Sequence, residues 1–280
     1  MAIQLATKFE PYVDEKFTAE SKKSLLTNTD FDWTGAHTIK VYKVTTAEMN
    51  DYDRAGTGGN NSRYGQIQGL DAVTEEMTLT KDRSFTFAID KLDTDETKMQ
   101  VQAASALERQ QREVVIPEID SYVYGVMCSK AGTKPGALNL TVSNIYTEII
   151  KGNAALDNTN VPETGRIIVV TPDIYMLMKM SGDIIMETDV SADMRLRGVI
   201  SNLDGCHVIK VPAARLPKNF GFMIAHPCAT VAPTKLEDYK IHQDPPGISG
   251  SLVEGRICYD AFVLDNKAKA IYYQEVTPTA

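Results

Sequence analysis

The 280-residue sequence predicts an α+β protein, in which strands and helices occur largely in separate blocks. Three observations lead to this prediction. Residues 36–90 contain segments that alternate between apolar and polar side chains, as half-buried strands do. A stretch with the spacing of a long helix then begins near residue 93, and the chain after residue 134 switches between shorter helices and strands.

The first block contains three β segments and a loop. Strands are expected at 37–44, 73–80 and 84–89, because apolar side chains recur there at every second position. Residues 50–65 include four glycines, three asparagines and no branched aliphatic side chain, which predicts an exposed loop tip. Residues 81–83, with the sequence Lys-Asp-Arg, are interpreted as a short polar turn between the last two strands.

The second block is a long helix. Asp93–Glu96 combine an acidic N-cap with a glutamate three positions later, which indicates a helix start. Met99–Val115 contain no glycine or proline and place apolar residues along one stripe. Pro117 is expected to bend or interrupt this helix, which then continues over 118–127 to give about 20 residues or more in total.

The third block mixes helices and strands after the loop Gly132–Gly136, which marks an expected domain boundary. Thr141 is expected to cap a helix, Arg166–Thr171 to form a buried strand, and Pro172 to open a helix that ends at Met180. Further strands are expected in Gly198–Pro212 (two, with a turn between them), Phe220–His226, Tyr239–His242, Val253–Leu264 and Ala268–Glu275, with Asp265–Lys267 as a hairpin turn.

The net charge, the length of the apolar runs and the first residues argue against nucleic-acid binding, membrane spanning and export, respectively. The 29 basic and 37 acidic side chains give a net charge of −8, the wrong sign for a broad nucleic-acid-binding face. No apolar run approaches the ~18–20 residues that span a bilayer, so we expect no transmembrane helix. The first eight residues lack the basic and apolar regions of a secretory signal, so we expect no export signal.

Metal binding is not indicated by the cysteines and histidines. The four cysteines lie far apart without a CxxC pair, which predicts free thiols in a reducing compartment. Cys206 and His207 are neighbours on a predicted strand, so their side chains point to opposite faces and cannot easily share an ion. His226 and Cys228 could share one, but they lack the spacing typical of zinc sites.

Catalytic motifs are also missing. The sequence contains neither GxGxxG nor GxSxG nor HExxH. The carboxylates of Glu187, Asp189 and Asp193 cluster in the sequence, but such a run usually forms a solvated face. We therefore expect no active site and no bound cofactor or metal.

Three stretches carry a resemblance to a known family. Gly165–Tyr175, Ile200–Pro212 and Asp244–Leu264 are similar to capsid proteins of phages and prophages of Gram-positive bacteria. The order of the elements is also distinctive: a polar arm, a long β excursion with a glycine-rich tip, a long helix, a mixed block and closing strands. Over nearly its whole length, the chain resembles the major capsid protein of tailed bacteriophages, which has the Hong Kong 97-type fold.

The resemblance implies a division of the chain into named parts. Residues 1–33 would be the N-terminal arm, and 34–92 the extended β-hairpin called the E-loop. Residues 93–133 and 235–280 would form the peripheral domain with its spine helix, and 134–234 the axial domain.

The function implied is structural and not enzymatic. Many copies would form an icosahedral shell of pentamers and hexamers that encloses double-stranded phage DNA, bound without sequence specificity. Further partners would be a separate scaffolding protein, a portal and decoration proteins, with no membrane involved. The chain would reside in the virion capsid after assembly in the host cytoplasm.

Within the E-loop, Arg54, Arg63, Glu75 and Glu76 are expected to form intersubunit ion pairs, although solvated surface charges are an equally good interpretation. Two other functions remain open. One is an encapsulin-like compartment, which shares the fold and houses protein cargo. The other is an α/β enzyme that uses the block 141–230.

Overall fold

The computed structural model describes residues 20–31, 33, 38–56, 62–92, 103–182 and 202–278. These residues divide into two compact units. The small unit is Trp33–Thr80, and the larger unit comprises the described parts of Met1–Asp32 and Lys81–Ala280. The small unit is continuous in sequence, whereas the larger unit is assembled from the segments before and after it.

The strands, in chain order, are β1 (Thr38–Val44), β2 (Ala72–Thr78), β3 (Lys81–Asp90), β4 (Ile167–Val170), β5 (Asn202–Leu203), β6 (Cys206–Lys210), β7 (Phe220–Ala225), β8 (Thr230–Val231), β9 (Thr234–Gln243), β10 (Gly250–Tyr259), β11 (Phe262–Val263) and β12 (Ile271–Glu275). The α-helices are α1 (Ala103–Gln110), α2 (Ile116–Lys130), α3 (Ile145–Asp157) and α4 (Pro172–Met180), and a π-helical segment occupies Gln111–Val115. Short 3-10 segments lie at Lys23–Leu25, Ala213–Arg215, Pro227–Ala229 and Asp265–Ala270.

Strand pairing differs between the two units. In the small unit, β1 and β2 form an antiparallel two-stranded sheet. In the larger unit, β10 is the middle strand of an antiparallel sheet with β3 and β9, and β8 pairs with β11. A five-stranded sheet has the order β12-β7-β4-β6-β5, in which β4 and β6 are parallel. The mixture of helices and mostly antiparallel sheets confirms the α+β class.

The five-stranded sheet separates two hydrophobic cores. Every residue of β4 is buried, and its side chains alternate between the faces. Ile167 and Val169 join the core that contains the buried side of α2, whereas Ile168 and Val170 join the core beneath α3 and α4. The first core also includes Ile257 of β10, so α2 contacts both the five-stranded sheet and the β3-β10-β9 sheet.

The long helix is confirmed over the residues that the structure describes. α1, the π-helical segment and α2 follow one another without a break over 103–130, a length of about 42 Å. Pro117 lies in the first turn of α2 and does not end the helix. Proline cannot donate to the carbonyl of Glu113 and its ring crowds that oxygen, and the wider π-helical turn lies directly before it. Asp93–Glu96, the expected helix start, lie outside the described residues.

Two other local predictions are confirmed. β4 lies within the predicted strand 166–171, and α4 has the predicted bounds. The hydroxyl of Thr171 accepts a hydrogen bond from the amide of Ile174 at 3.3 Å, so it caps α4 ahead of Pro172. The predicted strand–turn–strand in 198–212 is also present, as β5 and β6 joined by Asp204 and Gly205 with positive φ angles.

Three local predictions are wrong. Lys81–Arg83 belong to β3 and form no turn, because they pair in register with Ile257–Tyr259 of β10. Asp265–Lys267 make no hairpin turn, since they begin a 3-10 segment and β12 continues to β7 in another sheet. Thr141 caps no helix: α3 begins at Ile145. The side-chain oxygen of Asn144 accepts from the Thr141 amide at 2.7 Å and closes the preceding turn.

We predict opposite effects for alanine at two helical glycines. Gly152 of α3 is buried against the sheet, and a Cβ there would lie 2.8 Å from Ile224 and 3.1 Å from the Tyr272 ring. Gly125 of α2 has no atom within 4 Å of the same position. Gly125→Ala should therefore raise the free energy of unfolding by up to about 1 kcal/mol, through helix propensity alone.

Gly152→Ala gains the same propensity but must displace its neighbours, and should lower the free energy of unfolding by about 1–3 kcal/mol. Urea denaturation of the two variants, followed by circular dichroism, measures both effects. Equal stability of the two variants would show that α3 does not approach the sheet this closely.

Candidate assembly surface

The small unit is a β-ribbon with one half-buried face. On that face, Ile39 of β1 lies opposite the buried Met77 of β2, and Val41 lies opposite Glu75. The other face carries the cross-strand pairs Lys40–Glu76 and Tyr42–Thr74, and its side chains are mostly exposed. A two-stranded ribbon of this kind has little core of its own and is marginally stable in water.

Exposed apolar side chains are concentrated in this unit. The described residues include 15 large hydrophobic side chains that are exposed, and eight of them lie within Trp33–Thr80, less than a fifth of the chain. These eight are Tyr42, Val44, Met49, Tyr52, Tyr64, Ile67, Leu70 and Val73. Met49 and Ile67 reach 99% and 85% exposure. Apolar surface gathered in this way is typical of an interaction site.

The loop between β1 and β2 is folded upon itself. The amide of Asp53 donates to the Arg63 carbonyl at 2.9 Å, and the rings of Tyr52 and Tyr64 pack edge to face with centroids 5.0 Å apart. The Asp53 carboxylate accepts from the amide of Gly56, which has a positive φ angle, at 2.8 Å. The predicted exposed loop tip is thus confirmed for 50–56 and 62–65, and the remainder lies outside the described residues. Its apolar side chains are held in place while still facing solvent.

The four charged residues expected in the E-loop all lie in this unit. Glu76 contacts Lys40 at 2.5 Å, and the hydrogen bond raises the pKa of Lys40. Glu75 forms a more buried pair with Lys43 at 3.1 Å. Arg54 and Arg63 are exposed and make no ion pair within the part of the chain that the structure describes. Two of the four therefore already pair with lysines of the same chain, whereas the two arginines form no such pair among the described residues.

The polar face of the β3-β10-β9 sheet has a different character. Arg256 forms a two-point contact with Asp82, at 3.0 and 2.5 Å, and this hydrogen bonding lowers the pKa of Asp82. Lys240 contacts Asp238 at 2.8 Å beside it. A cavity of about 390 Å³ lies here between the three strands. Because its charges are paired within the chain, this face offers little apolar or uncompensated surface for a partner.

Cys206 and His226 form hydrogen bonds that hold the local structure. Cys206 is buried and donates to the Asn153 side-chain oxygen at 3.3 Å, whereas His207 is exposed, so the predicted opposite orientations are confirmed. Nδ1 of His226 accepts from the Cys228 amide at 3.2 Å and so caps the 3-10 turn at Pro227–Ala229. All four cysteines are free thiols.

No group of three or more metal-ligating side chains comes together among the described residues. Glu187, Asp189 and Asp193 lie outside the described part of the chain. A search of the described helices finds none that is long and apolar enough to span a membrane.

A buried polar network, not anticipated from the sequence, fixes the loop between α3 and β4. The Arg166 side chain is 3% exposed, donates to the carbonyl of Val161 at 2.7 Å and contacts the Asp157 carboxylate at 2.6 Å. Asn153 of α3 donates to the Asp204 carboxylate at 2.7 Å, which connects the helix to the β5–β6 turn. These groups hold loops in place, and nothing in their arrangement provides a nucleophile beside a base.

Comparison with solved structures shows that the fold is that of phage capsid structures. The chain matches a structure of Mycobacterium phage Che8 with a TM-score of 0.80 and 16% identity, covering 96% of both chains. It matches the capsid of Cyanophage P-SCSP1u with a TM-score of 0.77 and 15% identity, covering 98% of this chain and 93% of that one. It matches the mature capsid of bacteriophage PhiM1 with a TM-score of 0.75 and 13% identity, covering 99% of this chain and 93% of that one.

A virus-like particle from Pyrococcus furiosus is a more distant match, with a TM-score of 0.57 and 13% identity over 91% and 92% of the two chains. No protein-family model and no curated protein matches the sequence. The likeness is therefore one of fold, and it confirms the resemblance that the sequence indicated.

We predict that the buried thiols resist alkylation in the native chain. Burial raises the pKa of Cys128 to about 12, which leaves about one thiol in ten thousand ionised at pH 8. Burial also raises the pKa of Cys206. Cys258 is only half-buried and should be alkylated by iodoacetamide under the same conditions, as mass spectrometry of peptides will show. In urea, all four cysteines should react; modification of Cys128 in the native chain would contradict its burial.

Proposed function

We propose that this chain is the major capsid protein of a tailed bacteriophage, and that many copies form a closed icosahedral shell around double-stranded DNA. Two observations support the proposal. The fold is shared with phage capsid structures over 96% or more of the chain. The small unit also exposes the apolar surface that an assembling subunit would bury against its neighbours.

The apolar surface accounts for why assembly is favourable. Full burial of a large apolar side chain contributes about 1.5–3 kcal/mol. Eight such side chains on one small unit supply a substantial driving force, even when each is only partly covered and ordering costs are subtracted. Closed symmetry repeats the same contact on every copy, so a moderate interface is sufficient for a stable shell.

The named parts of the capsid fold are proposed on the same basis. The N-terminal arm would be 1–33, the E-loop 34–92, the peripheral domain 93–133 and 235–280, and the axial domain 134–234. Two features qualify this division. β3 pairs with β10 in the larger unit, so the part of the E-loop that forms a separate unit would be the small unit alone. β12 pairs with β7, so the peripheral and axial domains would share one sheet.

Arg54, Arg63, Glu75 and Glu76 remain our proposed intersubunit contacts in the E-loop. The two arginines are the stronger members of the set, because Glu75 and Glu76 already pair with lysines of the same chain. An acidic surface on a neighbouring copy would be the fitting partner for the arginines. Exposed ion pairs contribute little energy, so we assign them to registration of the interface and the apolar side chains to its strength.

The other proposed partners follow from the same function. A separate scaffolding protein, a portal and decoration proteins would complete the shell, which would assemble in the host cytoplasm and remain in the virion. DNA would be enclosed without sequence specificity. A net charge of −8 suits this role, because a strongly basic lining would hold the genome too tightly for packing and release.

An encapsulin-like compartment is less well supported. The solved structures that the chain matches with TM-scores of 0.75 to 0.80 come from phages. An enzyme built on 141–230 has no observation in its favour, because the polar groups of that block that the structure describes serve its loops and turns. The content of purified particles separates the two shell functions: nuclease-protected DNA supports the phage capsid, and packaged protein cargo supports the compartment.

We predict that polar substitutions in the loop between β1 and β2 abolish assembly and leave the subunit folded. Ile67→Ser combined with Leu70→Ser removes two exposed apolar side chains, whereas Gln66→Ser with Gln68→Ser alters equally exposed neighbours without removing apolar surface. Size-exclusion chromatography and negative-stain microscopy should show large shells for the control pair and small species for the apolar pair. Circular dichroism of the two should be the same.

Deletion of residues 50–65 should have the same consequence as the apolar pair. The deletion removes the loop tip, and the sheets and helices of the larger unit contain none of these residues. We expect a folded subunit that assembles poorly. Shells of normal size and yield from either the deletion or the Ile67/Leu70 variant would refute the proposed role of the small unit.

A further inference from the structure

Residues 20–28, called the N-terminal strap below, cross three parts of the larger unit that are distant in sequence. The strap begins beside Asp120 of α2 and Arg215 of the 3-10 turn before β7. It ends beside β8, where the amide of Asn28 donates to the Thr230 carbonyl at 2.7 Å in a parallel bridge. A short segment thus connects the long helix, the β6–β7 connection and a strand of another sheet.

The centre of this contact is a buried ion pair. The side chains of Asp120 and Arg215 are 1% and 7% exposed, and their carboxylate and guanidinium groups lie 2.8 Å apart. The second carboxylate oxygen accepts a hydrogen bond from the Ser21 hydroxyl at 2.6 Å, and Arg215 also donates to the carbonyl of Glu20 at 3.5 Å. A buried carboxylate is costly when any of its oxygens lacks a partner. The strap therefore provides one of the groups that make burial of this pair tolerable.

Two further strap residues hold it in place. Leu26 is fully buried and belongs to the core that contains α2. Lys23 lies near Asp120 and Glu237, and burial lowers its pKa although both carboxylates act in the opposite direction. Leu26 thus buries apolar surface in the core, and Lys23 places a positive charge near two carboxylates. Ser21 makes the specific contact with α2.

We propose that the N-terminal strap is a latch, whose docking completes the buried Asp120–Arg215 pair and whose release loosens α2 and the 213–215 turn together. The coupling is reciprocal: docking of the strap favours the ion pair by the same factor by which the intact ion pair favours docking. A partner or a force that acts on the chain before residue 20 is then transmitted to the long helix. All contacts of the proposed latch lie within one chain, so the latch does not depend on the proposed shell function.

Hydrogen–deuterium exchange with mass spectrometry on the full-length soluble subunit tests the latch. Ser21→Ala removes the hydroxyl that serves Asp120, and Ser24→Ala is the matched control on an exposed position of the same strap. Loss of a hydrogen bond to a charged group raises the equilibrium constant for local opening, and with it the exchange rate, roughly tenfold or more. We expect Ser21→Ala to accelerate exchange about tenfold in the strap, in 116–124 and in 213–216.

Amides of α3, which packs on the opposite face of the five-stranded sheet from α2, should exchange as in the unaltered chain. Ser21→Thr retains the hydroxyl and should restore slow exchange. Asp120→Asn should in turn accelerate exchange within the strap, as reciprocity requires. The latch is refuted when exchange in the strap rises without any change in the helix, when Ser24→Ala has the same effect, or when every region accelerates equally.

Discussion

The fold depends on one sheet that is buried on both of its faces. β7 is its best example, since all six of its residues are buried and it lies between β12 and β4. Met223 and Ala225 point into the core shared with α2, and Phe222 and Ile224 point into the core under α3 and α4. Because neither face is available to water, the helices on both sides are fixed relative to each other.

The β12 edge of this sheet is also covered. The segment after α2 forms bridges to it at Thr133 and Leu138, and the side chain of Gln274 donates to the Gly136 carbonyl at 2.9 Å. At the opposite edge, the described part of β5 has two residues, a short pairing surface. Along its described edges, this sheet therefore offers a second chain little to pair with.

The small unit has the opposite construction. Its ribbon and loop are organised by local bonds, such as those between Asp53 and Arg63, yet its apolar side chains are left in solvent. In the proposed shell, the larger unit would supply the stable subunit, and the exposed apolar side chains of the small unit would supply a reason to associate. The fold shared with phage capsid structures fits this division of roles.

The sequence predicted elements well where local signals determine them. The run Ile167–Val170 and the Thr171-Pro172 start of α4 carry their own strand, cap and helix signals. Prediction from the sequence failed where a distant partner decides: Lys81–Arg83 look like a turn, but they pair with Ile257–Tyr259 of β10, which lie far along the chain. The site was predicted only in outline, because Arg54 and Arg63 are visible as charges in a glycine-rich tip. The exposure of Met49 and Ile67 was not foreseen, since a sequence does not show which apolar residues lack a partner within the chain.

In the proposed closed shell, a second copy of the chain would bury the exposed apolar surface of the small unit. Single-particle cryo-electron microscopy of the assembled protein can show whether it does. We expect an icosahedral shell in which Met49, Ile67 and Leu70 of each subunit pack against a neighbouring copy. A small discrete oligomer, or a shell in which these side chains still face solvent, would contradict it.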